Sequence, residues 1–271
     1  MWTRDKQPKA LAQADATVWQ GKPADVERIV YEGKKKRLEL TAKKDALGRY
    51  FVGTFEKEKP APRPAGADAG APETPPAAEK TVTGIVSITP AEKLLELLAP
   101  LRALRTVGQV PVDREGEFGL SDPEGTLTVK IGAVERKLLL GGPTPGGADR
   151  YARDPGSGEV YVVKSDIFRN VDAPDTSLVE RDLHEWKDGD IVSAKVIAGG
   201  KTRTALRGGT EAKRFWADES DKETPDETLG NWLSKVDRLR PTDFPAALPD
   251  PHETVARIEY TGARGALGYL E

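Results

Sequence analysis

Hydrophobic positions near the start of the chain fall into period-two runs. Val26, Ile29 and Tyr31 mark one strand, Arg37-Leu38-Glu39-Leu40-Thr41 alternates strictly, and Gly48-Arg49-Tyr50-Phe51-Val52-Gly53 marks a third. Alternation predicts strands buried on one face, so Val26 to Phe55 reads as a β-meander. Its first turn, Glu32-Gly33-Lys34, is expected to use Gly33 for a positive φ. The pattern resumes at Thr81-Val82-Thr83-Gly84-Ile85-Val86-Ser87-Ile88 and then changes period. Leu94, Leu95, Leu97, Leu98, Leu101 and Leu104 form an apolar stripe at helical spacing. Thr89-Pro90-Ala91-Glu92 ahead of it predicts a capping box with Thr89 as N-cap and Pro90 at the first helical position. Pro100 predicts a kink or the end of that helix. Further strands are predicted at Thr126 to Ile131, Arg136 to Leu140, Arg150 to Arg153 and Val160 to Val163, followed by a short helix from Lys164 to about Val171.

The order then repeats. Asp190 to Ala198 and Lys201 to Leu206 form a hairpin across Gly199-Gly200, which echoes Ile29 to Leu40 across Gly33. Phe215-Trp216 echoes Tyr50-Phe51, and Thr224-Pro225-Asp226-Glu227 repeats the Thr-Pro-x-Glu cap. The helix it starts carries Leu229, Trp232, Leu233, Val236 and Leu239, with Trp232 expected in the core. Asp250-Pro251-His252-Glu253-Thr254-Val255 repeats Asp122-Pro123-Glu124-Gly125-Thr126-Leu127. The fold class expected is α+β: two tandem, repeat-related lobes, each an antiparallel β-meander with one capped α-helix. Residues 1–21 read as a flexible lead-in, 22–188 as the first lobe and 189–271 as the second. Residues 57–80, rich in Pro and Ala, interrupt the first lobe as an extended insertion, because such a composition buries too little to offset its ordering entropy.

Composition narrows the chemistry. The chain lacks cysteine, which removes disulfides, thiolate metal sites and Cys nucleophiles together. It has two histidines, His184 and His252, both in irregular segments, so no His-based triad or multi-His metal site is in view. A net charge of −3 argues against nucleic acid as a partner. No catalytic residue, metal site or cofactor is expected. Paired acids such as Glu115/Glu117 and Asp218/Glu219/Asp221 read as solvated; the second group lacks EF-hand spacing and leaves only a weak calcium site as an alternative. The glycine-rich Gly141 to Gly147 lacks the Lys-Ser/Thr ending of a phosphate loop and reads as a wide hairpin loop.

Two local features remain. Phe118-Gly119-Leu120-Ser121-Asp122-Pro123 reads either as a turn, with Gly119 at an unusual φ and Leu120 plugging the core, or as an exposed partner-binding loop built on Phe118, Leu120, Asp122 and Pro123. Lys34-Lys35-Lys36-Arg37 reads either as a solvated hairpin edge that blocks strand pairing or as a contact for anionic lipid headgroups. Trp19, Trp186 and Trp216 suit either a core or a groove.

The stretch from the Thr89 helix to the Asp190 strand resembles a bacterial domain-of-unknown-function family. The resemblance rests on the order of several motifs: the Leu-rich helix, Ala103-Leu104-Arg105-Thr106-Val107, Phe118 to Pro123, Leu140-Gly141-Gly142-Pro143-Thr144-Pro145, Tyr151-Ala152-Arg153, Val160 to Val163, and Val179-Glu180-Arg181-Asp182-Leu183. Proteins of that family are membrane-anchored by one N-terminal helix and lie beside ABC transporters of the gliding-motility type. The resemblance thus implies a periplasmic location at the inner membrane. It also implies permease or auxiliary subunits, or other envelope proteins, as partners. This chain has no apolar run of bilayer length and no signal peptide. Met1 is its only methionine, and Ala266 to Glu271 reads as a strand that stops in mid-pattern, so an excised soluble region is expected. The function expected is a non-enzymatic accessory or scaffold role. The alternative is capture of a glycan, lipid or peptide in a cleft between the lobes.

Overall fold

The computed structural model describes residues 16–45, 48–59, 79–210, 213–242, 244–245 and 253–271. The chain divides after Glu180 into two compact lobes, eight residues before the expected boundary at 188, with the short stretch around Phe244 belonging to the first lobe.

The first lobe contains β1 (Ala16–Trp19), β2 (Val26–Gly33), β3 (Lys36–Lys44), β4 (Arg49–Lys59), β5 (Glu79–Ser87), α1 (Thr89–Leu98), β6 (Leu101–Ala103) and β7 (Arg105–Gln109). It continues with β8 (Gly125–Ile131), β9 (Val134–Pro143), β10 (Arg150–Arg153), β11 (Glu159–Val163), α2 (Ser165–Asp172) and α3 (Pro174–Ser177). Nine strands form one antiparallel sheet in the order β5-β4-β3-β2-β8-β9-β10-β11-β7, and β1 pairs separately with β6. The second lobe contains β12 (Ile191–Ala198), β13 (Lys201–Thr210), β14 (Lys213–Asp218), α4 (Glu227–Asp237), β15 (Ala256–Gly262) and β16 (Gly265–Leu270). Its sheet runs β14-β13-β12-β15-β16.

The second sheet matches the middle of the first, β4-β3-β2-β8-β9, strand for strand. The match reaches the register. Val26 pairs with Ile131 and Arg28 with Lys130, so Glu27 is the extra residue of a bulge. Ile191 pairs with Gly262 and Ser193 with Thr261, so Val192 is the extra residue of the same bulge. Both first strands are entered through a 3-10 turn, Pro23–Asp25 and Asp188–Asp190. The offset between copies is 191 − 26 = 165 through the first three strands, 229 − 94 = 135 at the helix leucines, and 262 − 131 = 131 in the returning hairpin.

These offsets correct the sequence alignment in two places. The first hairpin turns on Lys34-Lys35, which is equivalent to Gly199-Gly200; Gly33 lies inside the ladder, paired with Lys36. The positive φ falls on Lys35, at 126°, where the second copy carries glycines at 54° and 71°. Gly33 is small for another reason: a Cβ there would lie 2.8 Å from the Tyr31 hydroxyl, and one on its cross-strand partner Gly125 would lie 2.5 Å from the Tyr31 ring. The phenol lies across both glycines, 1% exposed, and donates to the Glu124 carbonyl at 3.2 Å. Burial pushes the phenol's pKa well above its ordinary range. The second correction is the returning strand, which matches at 131 rather than at the 128 separating Asp122 from Asp250. Asp250, Pro251 and His252 lie outside the described residues.

Each helix lays leucines on its sheet. Leu94, Leu95 and Leu98 of α1 join the main core with Ile29, Leu38, Leu40, Leu127 and Leu138, and Leu229 and Leu233 of α4 join a smaller one with Ile191 and Tyr260. Helix α1 ends at Leu98, before Pro100, so Leu101 is buried as part of β6 and Leu104 packs elsewhere. Trp232 faces outward at 39% exposure and Leu239 lies past the end of α4, because an eleven-residue helix on a five-stranded sheet buries only a narrow stripe.

The caps also differ from expectation. Thr89 is already helical and Ile88 holds the N-cap position without a side-chain cap. The Glu180 carboxylate, from the far end of the lobe's sequence, accepts from the amides of Ile88 at 3.2 Å and Thr89 at 3.1 Å. A carboxylate there satisfies free N–H groups and opposes the positive end of the helix. In the second lobe Asp226, not Thr224, caps α4 by accepting from the Leu229 amide at 2.9 Å. Part of the expected lead-in is ordered structure too: Ala16–Trp19 is a strand, and Trp19 is 5% exposed with its indole donating to the Leu98 carbonyl at 2.7 Å, while residues 1–15 lie outside the described residues. Strands β4 and β5 take up Lys57 to Lys59 and Glu79 to Lys80 from the expected insertion, and 60–78 lies outside the described residues.

Glu180→Ala should therefore cost the first lobe about 1–2 kcal/mol, whereas Thr89→Ala should cost little. Urea unfolding followed by far-UV circular dichroism compares them, and the reverse order would restore Thr89 as the cap.

Candidate functional site

The two local features singled out in the sequence meet at one end of the first lobe. The cross-strand pair Gly33 and Gly125 brings the β2–β3 turn beside the loop before β8, and Lys34 Nζ reaches Asp122 Oδ2 at 2.6 Å. Lys36 binds the side chain of Asp172 at 2.7 Å and its carbonyl at 3.1 Å, at the end of α2. Arg37 pairs with Glu32 and, at 3.1 Å, with Glu39. Three of the four basic side chains are thus held by carboxylates of the same lobe, and Lys35 occupies the turn. A shallow cavity of about 270 Å³ beside them is lined by Lys35, Lys36, Arg37, Lys57 and Lys80 together with Glu32, Glu56 and Glu58. The mixture of signs leaves it only weakly positive.

The Phe118 to Pro123 segment is a turn. Val112–Phe118 forms a 3-10 helix that Gly119 ends at φ 65°, where a Cβ would press on Gly142. Leu120 is 3% exposed and packs with Tyr151, Val160 and Val162. Phe118 meets Tyr151 edge-to-face, with ring centroids 4.8 Å apart. This corrects the reading of Leu120 as an exposed partner contact. It also explains Val160-Tyr161-Val162-Val163: an apolar run without alternation needs cover on both faces, and Tyr161 and Val163 face the main core while Val160 and Val162 face Leu120. Glu115, expected to be solvated, is paired with Arg153 beside this turn and is 14% exposed.

The second lobe holds a cluster that sequence reasoning missed. His184 stacks on Trp186 with centroids 4.3 Å apart and planes 6° apart, and both rings lie against Tyr260. His184 Nε2 lies 3.6 Å from Asp237 Oδ1, and the Tyr260 hydroxyl donates to the same oxygen at 3.4 Å. Burial, then Asp237, raises the Tyr260 pKa well above its ordinary range. The cluster explains the domain boundary, since His184 and Trp186 anchor the chain onto β15 and α4 before β12 begins. Only the spacing His-x-Trp hinted at it.

Arg207 fills a second nest in this lobe. Its guanidinium lies 4.1 Å over the Trp216 ring and pairs with Asp188. Burial lowers its pKa, Asp237 opposes that, and neighbouring Arg214 adds to it. Arg214 donates to the Gly189 carbonyl at 3.0 Å, and its counterpart Arg49 donates to the carbonyls of Pro23, at 2.8 Å, and Val26. Each copy thus uses one arginine to tie the first residues of its third strand to the turn that enters its first.

Asp218 lies beside an open cavity with Asp221 and Asp226. The Ser220 hydroxyl and amide, then Arg203, hold its carboxyl down to about 2. Its oxygens are spent on these donors, and no group of three or more metal-ligating side chains is assembled among the described residues. No helix among them is long and apolar enough to cross a membrane.

Leu120→Ala should lower the stability of the first lobe by about 2–4 kcal/mol, and Asp122→Asn should leave it essentially unchanged. Thermal and urea unfolding of both variants checks this. Full stability in the Leu120 variant would return that side chain to the surface.

A family model described as "Domain of unknown function (DUF4340)" matches residues 91–257, from within α1 to the start of β15. No curated protein and no solved structure matches the chain. The matched segment runs through both lobes and covers more than half of the sequence, so the chain belongs to this bacterial family of unknown function.

Proposed function

We propose that the chain is a non-catalytic accessory or scaffold region that works through protein–protein contacts at the periplasmic face of the bacterial inner membrane. In this reading it serves an ABC transporter of the gliding-motility type, whose permease or auxiliary subunits are its partners. The observation that carries the contact role is how the polar side chains are used. Glu32, Glu39, Asp122, Asp172 and Asp218 each close an ion pair or a turn within their own lobe, which leaves them poorly placed for acid–base work.

The sheets, by contrast, end in outer strands suited to strand addition. In β7 every residue except Gly108 is exposed, Val107 included, and β16 carries Tyr269 at 55% exposure. The transporter context comes from the family resemblance and its order of motifs.

The test is photocrosslinking of the full-length native protein in its own membranes, with crosslinking residues at Val107 and Tyr269 and mass spectrometry of the products. The expected result is enrichment of permease or ATPase subunits over an anchor-only control. Recovery of the protein alone would overturn the transporter reading.

A further inference from the structure

Strand β5 ends the larger sheet, and the chain itself closes its outer edge at one point. The Gly84 amide points away from β4 and donates to the Phe244 carbonyl at 2.8 Å, in an isolated antiparallel bridge. The approach requires glycine: a Cβ on Gly84 would lie 2.5 Å from the carbonyl oxygens of both Phe244 and Pro245. The stretch around Phe244 follows α4 in sequence yet belongs to the first lobe. The Phe244 side chain is half-buried and packs against the main core, whereas Pro245 is exposed. Two features make this contact a strap on the sheet rather than a strand of it. Among the described residues it is held by one bridge, while β5 is zipped to β4 from Phe51 opposite Ser87 to Lys59 opposite Glu79. Pro245 has no N–H, so it cannot carry a ladder onward. A segment held by one backbone bond and one half-buried ring opens locally before the lobe unfolds. Opening uncovers the Gly84 amide and an apolar place beside the core.

We propose that the edge of β5 at Gly84 is a docking site for an extended segment of a partner polypeptide that carries an aromatic residue followed by proline, and that Phe244 and Pro245 hold this site closed until the partner displaces them. The chain's own segment defines the chemistry of the guest. An aromatic ring fills the apolar place beside the core, and the carbonyl of the same residue takes the Gly84 amide, which would otherwise be left without its bond. Proline next to it brings no N–H that needs a partner against the sheet. The guest gains what the strap does not make. Val82 turns its backbone to the same side as Gly84, is 48% exposed and pairs only with Glu56 of β4 among the described residues. Residues that follow the proline in an antiparallel guest run along Val82 and add main-chain bonds there. That the guest belongs to a partner protein rests on the contact role proposed above; the opening of the strap does not.

The test has two parts, both on the full chain. Hydrogen exchange read by NMR should show the Gly84 amide exchanging at least tenfold faster than those of Thr83 and Ile85, which face β4. Fluorescence anisotropy then follows a labelled peptide with the sequence of residues 242–247. Phe244→Ala should bind it at least tenfold more tightly than the native chain, because the internal ring no longer competes. Gly84→Ala should not bind it, although its own strap is displaced too. The same peptide with alanine in place of phenylalanine should bind to none of them. Exchange of Gly84 in step with its neighbours, equal affinity of the native chain and Phe244→Ala, or binding retained by Gly84→Ala would each overturn the proposal. Failure of Phe244→Ala to fold would mark Phe244 as core and overturn it as well. Dimerisation of the free chain that Gly84→Ala abolishes, seen by sedimentation, would give the site to a second copy and overturn the partner. If the peptide fails to bind while crosslinking still recovers transporter subunits, this inference falls and the accessory reading stands; the opposite pair of results separates them the other way.

Discussion

Each lobe depends on one long-range pairing, that of its first strand with the strand that returns after the helix. Arg28 meets Lys130 in one copy and Ser193 meets Thr261 in the other. These pairings sit in the interior of their sheets, so the meander on one side and the returning hairpin on the other hang from them. Contacts so distant in sequence must offset a loop-closure entropy that local hairpins avoid. The repeated bulge at Glu27 and Val192 pins the register, and a slip of one residue would turn Ile29, Tyr31, Ala194 and their neighbours out of the core. The arginines that tie β4 and β14 back to the entering turns hold the start of the same strands. The helix leucines then close the apolar face that this pairing assembles.

With the frame fixed, the copies were free to diverge in what they place on it. The first carries β5, the β10–β11–β7 extension and the Leu120 plug on a second face. The second stays at five strands and fills its smaller core with Trp216 and Tyr260, with the half-buried Arg207 guanidinium laid over the Trp216 ring. Ala42 and Arg207 are the sharpest instance: one register position carries a small side chain in one copy, where Arg49 covers the Phe51 ring, and a stacked, ion-paired arginine in the other. The tight turns diverge as well, with Lys35 accepting an unfavourable φ where Gly199 and Gly200 accept it freely.

Much of this was legible in the sequence. Alternation located β2, β3, β4 and the β12–β13 hairpin, and Phe51 and Trp216 were matched across the copies at the correct offset of 165. Local pattern did not reveal what distant residues supply. Glu180 caps α1 from about ninety residues away, so Thr89-Pro90-Ala91-Glu92 suggested a cap it does not form. Tyr31 explains Gly33 through volume rather than through φ, and no turn rule contains that information. Trp232 looked like core because spacing reports the direction of a side chain but not the width of the sheet beneath it. At the candidate site, proximity of the basic run to Asp122 followed only from the register of β2 against β8, and the exchange of Arg207 for Ala42 only from comparing the registers of the two copies.

The most direct test of the shared frame is a set of cross-strand nuclear Overhauser effects in the labelled chain. The account predicts contacts that place Arg28 opposite Lys130 and Ser193 opposite Thr261, with Glu27 and Val192 each skipped as the extra residue. A continuous register through either position, or a bulge in one copy only, would contradict the claim that the two lobes are copies of one unit.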